Sequence, residues 1–509
     1  MSKFLYGAAV QGIQSFIFQT NELRDIVGAS ELVNMICLDL FDQFAINGEN
    51  VVRSAGNIKY LFDNENDCRT AVREFPKKVL TMAPGITVSQ AVVVYNEQKD
   101  DFGKVVDALE SRLHIQRNKP FPSLTTGLMA MERSRKTGMP AVKRENSDIL
   151  DLATIKKRNS SYNRSQNVNQ KLSEDAFGFA RGTLNKKRIA LDIDKIAGKN
   201  DWIAIVHADG NSLGKIVQKL GKDKDAFTAF SDNLNKATMA AAHSAFNDVK
   251  SCFPGEYDFI PIRPVVLGGD DFTFICRADF ALDYVQSYLK NFEVETKEIF
   301  ASEVMPKCKS DEEREVLKNG LTACAGIAFI KSSFPFHSGY DLAENLCSRA
   351  KKLSNREKSC LMFYKLQDSF VEDLSSMIDR ELTIKNKVDK ISGSFSFGPY
   401  FLKENAGYWT IDNLLNYSGK LAGKEGNAVK SGLRKWMSLM LENEDFAKQH
   451  LSRMKSVCPQ NLKTLVEDVT DIKYKRMYNI ADSDKEVNYY PVYDMLAINT
   501  IKYQQTKNK

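Results

Sequence analysis

The sequence is short of the residues that several common chemistries need. Its 509 residues include nine cysteines and five histidines. The cysteines are odd in number and scattered, and no Cys-x-x-Cys occurs, which speaks against a disulfide framework and against a cysteine-rich zinc site. They read as reduced, mostly buried thiols. The histidines, at positions 114, 207, 243, 337 and 450, form no ligand pair at i, i+4 and no His-Asp dipeptide, so histidine-based metal hydrolysis is poorly supported. No apolar run approaches the roughly 18 residues of a membrane span, and the N-terminus lacks the basic-then-apolar layout of a signal peptide. The expectation is a cytoplasmic protein without membrane contact.

The apolar and charged fractions, 43% and 27%, are ordinary for a soluble globular protein. The length points to two to four domains. The net charge of +6 is unevenly placed: Met131 to Arg188 holds fourteen Lys/Arg against six Asp/Glu. Such a segment suits polyphosphate or nucleic acid. The polar run Asn159 to Asn167 within it equally suits a solvated connector.

Taken in order, the chain shows one element plan twice. Phe4–Val10 reads as a strand, Ile13, Phe16 and Ile17 as a buried helix face, and Ser30 as the cap of a second helix. Strands at Val51–Arg53 and Lys59–Phe62, a helix over Asp67–Met82 and a strand over Ile86–Tyr95 complete a ferredoxin-like order. A helix over Asp100–Ile115 follows, then an irregular basic connector from Pro120 to Arg188. The plan resumes with a strand at Trp202–Ala208, helices at Ser212–Leu220 and Ala226–Val249, and a hairpin. A helix at Phe280–Phe300, a strand at Leu321–Ile330, a helix at Asp341–Leu353 and a strand at Ser359–Tyr364 close it. Beyond Gln367 the pattern is helical. The expected architecture is therefore α+β: a first ferredoxin-like domain over 1–100, a connector over 101–190, a second such domain over 191–366, and a helical bundle over 367–509, with a fraying tail from Tyr503.

The chemistry concentrates in the hairpin of the second repeat. There Gly268-Gly269-Asp270-Asp271 stands between Val265–Leu267 and Phe272–Ile275. Glycines leave room for a phosphate to approach, and adjacent carboxylates are the hard oxygen ligands that Mg²⁺ prefers. Alone, the stretch is also ordinary turn chemistry. Asp209, at the end of the first strand of this repeat, belongs beside the hairpin in a ferredoxin-like sheet. Three convergent carboxylates repel one another unless a cation joins them. Asp209, Asp270 and Asp271 are thus the candidate catalytic and metal-holding residues for two-metal phosphoryl transfer. Gly210, Asn211, Ser212, Gly268 and Gly269 are candidates for nucleotide contact, with Gly210 lending a carbonyl. Lys215 and Lys351 are candidate sources of positive charge.

These residues resemble the large polymerase-like subunit of type III CRISPR effector complexes, which contains two Palm domains. In the first repeat the likeness rests on Gly12-Ile13-Gln14, Phe16-Ile17, Leu23-Arg24, Gly28-Ala29-Ser30 and Leu32. In the second it rests on Asp209-Gly210-Asn211, Gly268-Gly269-Asp270-Asp271-Phe272, Ala325-Gly326-Ile327-Ala328, Phe334-Pro335 and Asp341-Leu342-Ala343; Gly398-Pro399-Tyr400 follows. The resemblance implies a Mg²⁺- or Mn²⁺-dependent enzyme that joins ATP into cyclic oligoadenylate in antiviral defence. It places the metals on Asp209, Asp270 and Asp271, and a second nucleotide on a metal-free first repeat. Guide or target RNA and other effector subunits are the implied partners. The chain departs from the family in two respects. It has no His-Asp nuclease motif, so DNA cleavage is not expected. The stretch from Leu124–Gly127 to Thr137–Val142 has no zinc cysteines, so no zinc is expected. Two further readings remain open: a scaffold that grips RNA or protein with a vestigial acid hairpin, and a stand-alone cyclic dinucleotide synthase using GTP.

Overall fold

The computed structural model describes residues 2–54, 56–119, 129–145, 148–161, 171–185, 188–190, 192–198, 201–253, 259–367, 373–385, 390–480 and 483–502. Leu124–Gly127 of the connector, the polar run from 162 onward and the tail from 503 lie outside them.

The first unit runs β1 (Ser2–Gln11), α1 (Ile13–Ile17), α2 (Leu23–Met35), β2 (Gly48–Ser54), β3 (Asn57–Phe62), α3 (Glu65–Met82) and β4 (Thr87–Asn96). Its sheet has the order β2-β3-β1-β4 and is antiparallel throughout, which is the ferredoxin-like arrangement anticipated from the element order. Asn64 caps α3 by accepting from the Asp67 N–H. α4 (Phe102–Arg117) covers the outer face of this sheet, where Leu109 packs among Leu5, Leu61 and Val93.

The connector is more ordered than its composition suggested. It forms a hairpin, β5 (Ala141–Glu145) and β6 (Asp148–Asp151), followed by α5 (Leu152–Ser161), α6 (Lys171–Phe177) and α7 (Ile193–Ala197). α5 packs on α2. Lys157 donates to the Phe16 carbonyl at 2.6 Å and to Gln19 at 3.0 Å, and Arg158 donates to Asp25 at 2.9 Å. These two basic residues are buried within the fold, so they are withdrawn from the solvated charge counted in the sequence.

The second unit runs β7 (Trp202–Gly210), α8 (Leu213–Leu220), α9 (Lys224–Val249), β8 (Ile262–Gly268), β9 (Asp271–Arg277), α10 (Ala281–Ile299), α11 (Asp311–Leu317), β10 (Ala323–Lys331), α12 (Phe336–Leu353) and β11 (Cys360–Lys365). Its core strands repeat the first sheet as β10-β7-β9-β8, and β11 extends it in parallel beyond β10. One face is closed by α9 and α10, with Phe272 against Tyr288 and Phe274 against Tyr284, each pair 5.0 Å apart. The other face carries α12. A Cβ on Gly326 of β10 would lie 1.9 Å from the Ala343 carbonyl oxygen, so only glycine lets α12 approach this closely.

The two units meet along α1 and α12. Gln14 donates to the Tyr340 hydroxyl at 3.2 Å and to Glu344 at 3.0 Å, and the Phe18 ring lies 4.0 Å from that of Tyr340.

The C-terminal region is not the purely helical bundle expected. α13 (Leu374–Glu381), β12 (Thr383–Lys385), β13 (Ile391–Ser394), β14 (Tyr400–Phe401), α14 (Ile411–Lys420), α15 (Lys424–Glu442), α16 (Glu444–Val457), α17 (Gln460–Thr470), β15 (Lys475–Ile480), β16 (Ser483–Tyr489) and α18 (Val492–Lys502) make it up. Four of its strands form a separate sheet in the order β12-β13-β16-β15. The pairing of β15 with β16 supplies the backbone bonds that their polar sequences, read by periodicity alone, did not announce. Among the described residues no helix is long and apolar enough to cross a membrane.

Candidate active site

Strand alternation assembles the site. Side chains two apart on a strand share a face, so His207 and Asp209 of β7 project together. His207 stands opposite Thr273, and Ala208 opposite Phe272, across the β7–β9 pairing. Asp271 and Thr273 of β9 therefore share the face of His207 and Asp209, while Phe272 and Phe274 turn to the core behind. Gly269 and Asp270 form the tip between β8 and β9. The Gly269 carbonyl accepts from the Thr238 hydroxyl at 2.6 Å, and its N–H donates to Asn235 at 3.3 Å, so α9 holds the tip from beneath. A Cβ on Gly210 would lie 3.0 Å from the Asp270 Cβ and 2.6 Å from Leu213 Cδ1. Glycine at 210 is what lets the hairpin tip and the end of β7 come together.

The three predicted acids meet, and Lys351 joins them from the last turn of α12. Its ammonium is bonded to the Asp209 carboxylate and donates to the Gly210 carbonyl at 2.8 Å. The carbonyl that the sequence offered to a cation is thus engaged by the protein's own lysine. Asn211 is 2% exposed; its amide donates to Thr322 at 3.0 Å and to the Lys358 carbonyl at 3.4 Å. The Ser212 hydroxyl donates to the Arg356 carbonyl at 2.9 Å. These two residues tie the β7–α8 turn to the loop before β11. Lys215 is exposed on α8, with no bond to the acids among the described residues.

Electrostatics in the site are those of crowded acids with too little positive charge. Burial, then the charge of Asp271 and the hydrogen bond with Asp209, push Asp270 well above the usual carboxylate range. Burial, with the charge of Asp209 added, pushes Asp271 up to about 7 against the pull of Lys351. Burial acts on Asp209 in the same sense, but the hydrogen bond from Asp270 and the Lys351 ammonium outweigh it and hold Asp209 low. One lysine stands against one carboxylate, and the other two are shifted toward their protonated forms. A carboxylate set that holds protons more tightly for want of countercharge fits a divalent cation, which would replace them. One ligand atom each from His207, Asp209 and Asp271 lies within 4.8 Å of the others. His207 was passed over in the sequence because the histidines were compared at helical spacing; the signal was its i, i+2 relation to Asp209 on a strand.

A cavity of about 450 Å³ opens beside this set, within the range of small-molecule sites. It lies between the two units: Gly12, Gln14 and Phe18 line it from the first, and His207, Gly268, Asp271 and Tyr340 from the second. At the matching places of the first sheet the chain carries Ala9-Val10 and Ser54-Ala55-Gly56-Asn57, with no carboxylate.

Residues 202–360 match the family described as Cas10/Cmr2, second palm domain. No curated protein matches the chain. Among solved structures, a Csm1-Csm4 cassette in complex with AMPPNP aligns over 99% of this chain and 70% of its own, with a TM-score of 0.59 and 11% identity. The cassette in complex with cA4 aligns over 98% and 70%, with a TM-score of 0.56 and 11% identity. Csm1 from T. onnurineus aligns over 98% and 69%, with a TM-score of 0.55 and 11% identity. The resemblance carried by the motifs is upheld: the second unit matches the Cas10/Cmr2 second palm domain, and the chain has the fold of the Csm1 structures.

Proposed function

We propose that this chain is a nucleotidyltransferase that converts ATP into a cyclic or linear oligoadenylate, as the signalling subunit of a type III CRISPR-like effector. The observation that carries the reading is the meeting of Asp209, Asp270 and Asp271 where the end of β7 meets the hairpin tip, beside a cavity that Asp271 lines and both units share, while the matching places of the first sheet carry no acid. The similar Csm1 structures include complexes with AMPPNP, pppApA and cA4, the kinds of molecule such a reaction consumes and forms.

In the proposed reaction the 3′-hydroxyl of one nucleotide attacks the α-phosphate of another in line, and pyrophosphate leaves. Asp209, Asp270 and Asp271 hold Mg²⁺ or Mn²⁺, whose chemistry when bound is to acidify the attacking hydroxyl and neutralise the triphosphate. Gly268 and Gly269 leave the hairpin backbone open to phosphate. Lys351 fixes the carboxylate of Asp209. The first unit completes the cavity through α1, so one chain supplies both walls. A partner subunit and RNA belong to the same reading, since the similar structures include Csm1-Csm4 cassettes and an interference subcomplex.

The test is incubation of the purified protein with radiolabelled ATP and Mn²⁺ or Mg²⁺, with and without RNA. The expected result is an oligomeric product that the double variant Asp270→Ala, Asp271→Ala does not make. Equal product from that variant would overturn the assignment. No product under any condition, together with RNA binding that weakens steeply with salt, would favour the scaffold. Product from GTP in place of ATP would favour the dinucleotide synthase.

A further inference from the structure

The acids alone make an all-oxygen set, the kind that suits Mg²⁺. The site is not all oxygen. His207 is 7% exposed, lies on the acid face of β7 and lines the cavity. Its Nδ1 is 3.0 Å from the Thr273 hydroxyl. A hydrogen bond between one ring nitrogen and a neighbouring hydroxyl fixes the ring's orientation and leaves the other nitrogen for a ligand; this is the support that metal-binding histidines ordinarily have. Nε2 has no hydrogen-bond partner among the described residues. An imidazole that is 7% exposed, with a ring nitrogen within 4.8 Å of a carboxylate oxygen of both Asp209 and Asp271, is a second sign of a ligand beyond the acids themselves.

The spacing agrees. Two ligands of one ion, each about 2.1 Å from it, stand at most about 4.2 Å apart. The ligand atoms of His207, Asp209 and Asp271 are within 4.8 Å of one another, so side-chain rotation without backbone movement brings them to one ion. Asp209 is bonded by Lys351 through Oδ2 and by the Asp270 carboxyl. Tyr340, whose ring centroid lies 5.7 Å from that of His207, packs the imidazole in place from the α12 side.

We propose that His207 is a nitrogen ligand to a cation held with Asp209 and Asp271, and that this turns the site toward transition-metal dications such as Co²⁺ and Mn²⁺ and away from Mg²⁺. Imidazole is a borderline ligand that first-row transition metals accept and Mg²⁺ takes poorly; within the series Co²⁺ binds more tightly than Mn²⁺. The inference rests on the reading of the acid set as a cation site and adds the ligand and the preference.

The experiment is pulsed electron paramagnetic resonance on the full chain loaded with Mn²⁺ alone, in the absence of nucleotide. Directly bound ¹⁴N modulates the echo, and growth on ¹⁵N-histidine changes that modulation, so the unaltered protein suffices. The expected result is histidine nitrogen coupling in the native chain, lost in His207→Ala. In competition, Co²⁺ displaces Mg²⁺ from the native protein, and His207→Ala weakens Co²⁺ binding by about 10- to 100-fold while Mg²⁺ binding changes little. Mn²⁺ that binds without nitrogen coupling, and is lost in Asp209→Asn, Asp271→Asn, would overturn the inference and leave the acid site standing. Absence of any Mn²⁺ binding would overturn both.

Discussion

The Lys351 ammonium sits against the Asp209 carboxylate and the Gly210 carbonyl together, so a charge of the protein's own occupies the end of β7. The pair joins residues 142 positions apart and, with the hydrogen bond from Asp270, holds Asp209 below the usual carboxylate range. Lys351 is 6% exposed, and a charge so buried is costly without its partner.

Replacing Lys351 with Met should therefore destabilise the cation-free protein. Removing one member of a buried ion pair costs roughly 3–5 kcal/mol, and the lower end applies because the Asp209 side chain remains 29% exposed. Thermal unfolding of Lys351→Met, with and without Mn²⁺, checks this. The cation should restore more stability to the variant than to the native chain, since it takes over the countercharge. An equal shift in both would show that Lys351 and the cation do not answer the same carboxylate.

Stability in the absence of cation should fall as pH rises. Burial raises Asp271 to about 7, and also Glu31 and Asp494 to about 7. A carboxyl raised in the folded state binds its proton more tightly there than in the unfolded chain. Its contribution is complete below about pH 4 and is lost as pH rises through about 7. A falling melting midpoint between pH 5 and pH 8 is the expected record. Saturating Mn²⁺ should remove the Asp271 part of that fall, because ligation requires the deprotonated group. Cation affinity should correspondingly rise with pH and level off above about 7.

Gly210→Ala should abolish product while the chain stays folded. The new methyl would stand 3.1 Å from Asp270 Oδ2 and closer still to Leu213, forcing the hairpin tip away from β7. Overpacking of this kind costs about 1–3 kcal/mol. Urea denaturation and product yield, measured together, separate the local effect from unfolding; native activity would show that the tip has slack.

Phe18→Ala should loosen the two palm units from each other. Phe18 is 4% exposed and packs on both Tyr340 and Phe336 of α12. Truncating such a ring costs about 3–5 kcal/mol. Faster hydrogen exchange in α1 and α12, with weaker nucleotide binding and unchanged exchange in the C-terminal sheet, is the expected result. Uniform exchange across the chain would mean that the contact is not a local seam.

Much of this was written in the chain itself. The recurrence of strand, helix, strand, strand, helix, strand depends on local periodicity and turn residues, and those are visible in sequence; the sheet orders β2-β3-β1-β4 and β10-β7-β9-β8 followed from it. The acid hairpin was legible because Gly-Gly-Asp-Asp is continuous, and Asp209 because a ferredoxin-like sheet sets its first strand beside the hairpin. Alternation along β7 also put His207 on the same face, a relation present in the sequence but tested at the wrong period.

Tertiary structure decided the rest. Nothing local distinguishes Lys351, which meets Asp209, from Lys352 beside it, which is exposed; that depends on the rotation of α12 over Gly326. The connector's Lys157 and Arg158 read as solvated charge until α1, the turn after it and α2 brought Phe16, Gln19 and Asp25 to meet them. The C-terminal sheet draws its stability from backbone pairing between segments whose side chains carry no strand pattern. Sequence fixes what lies two or four residues apart, because covalent geometry sets those distances. Which distant groups neutralise one another depends on how the layers pack, because charge and burial act through space.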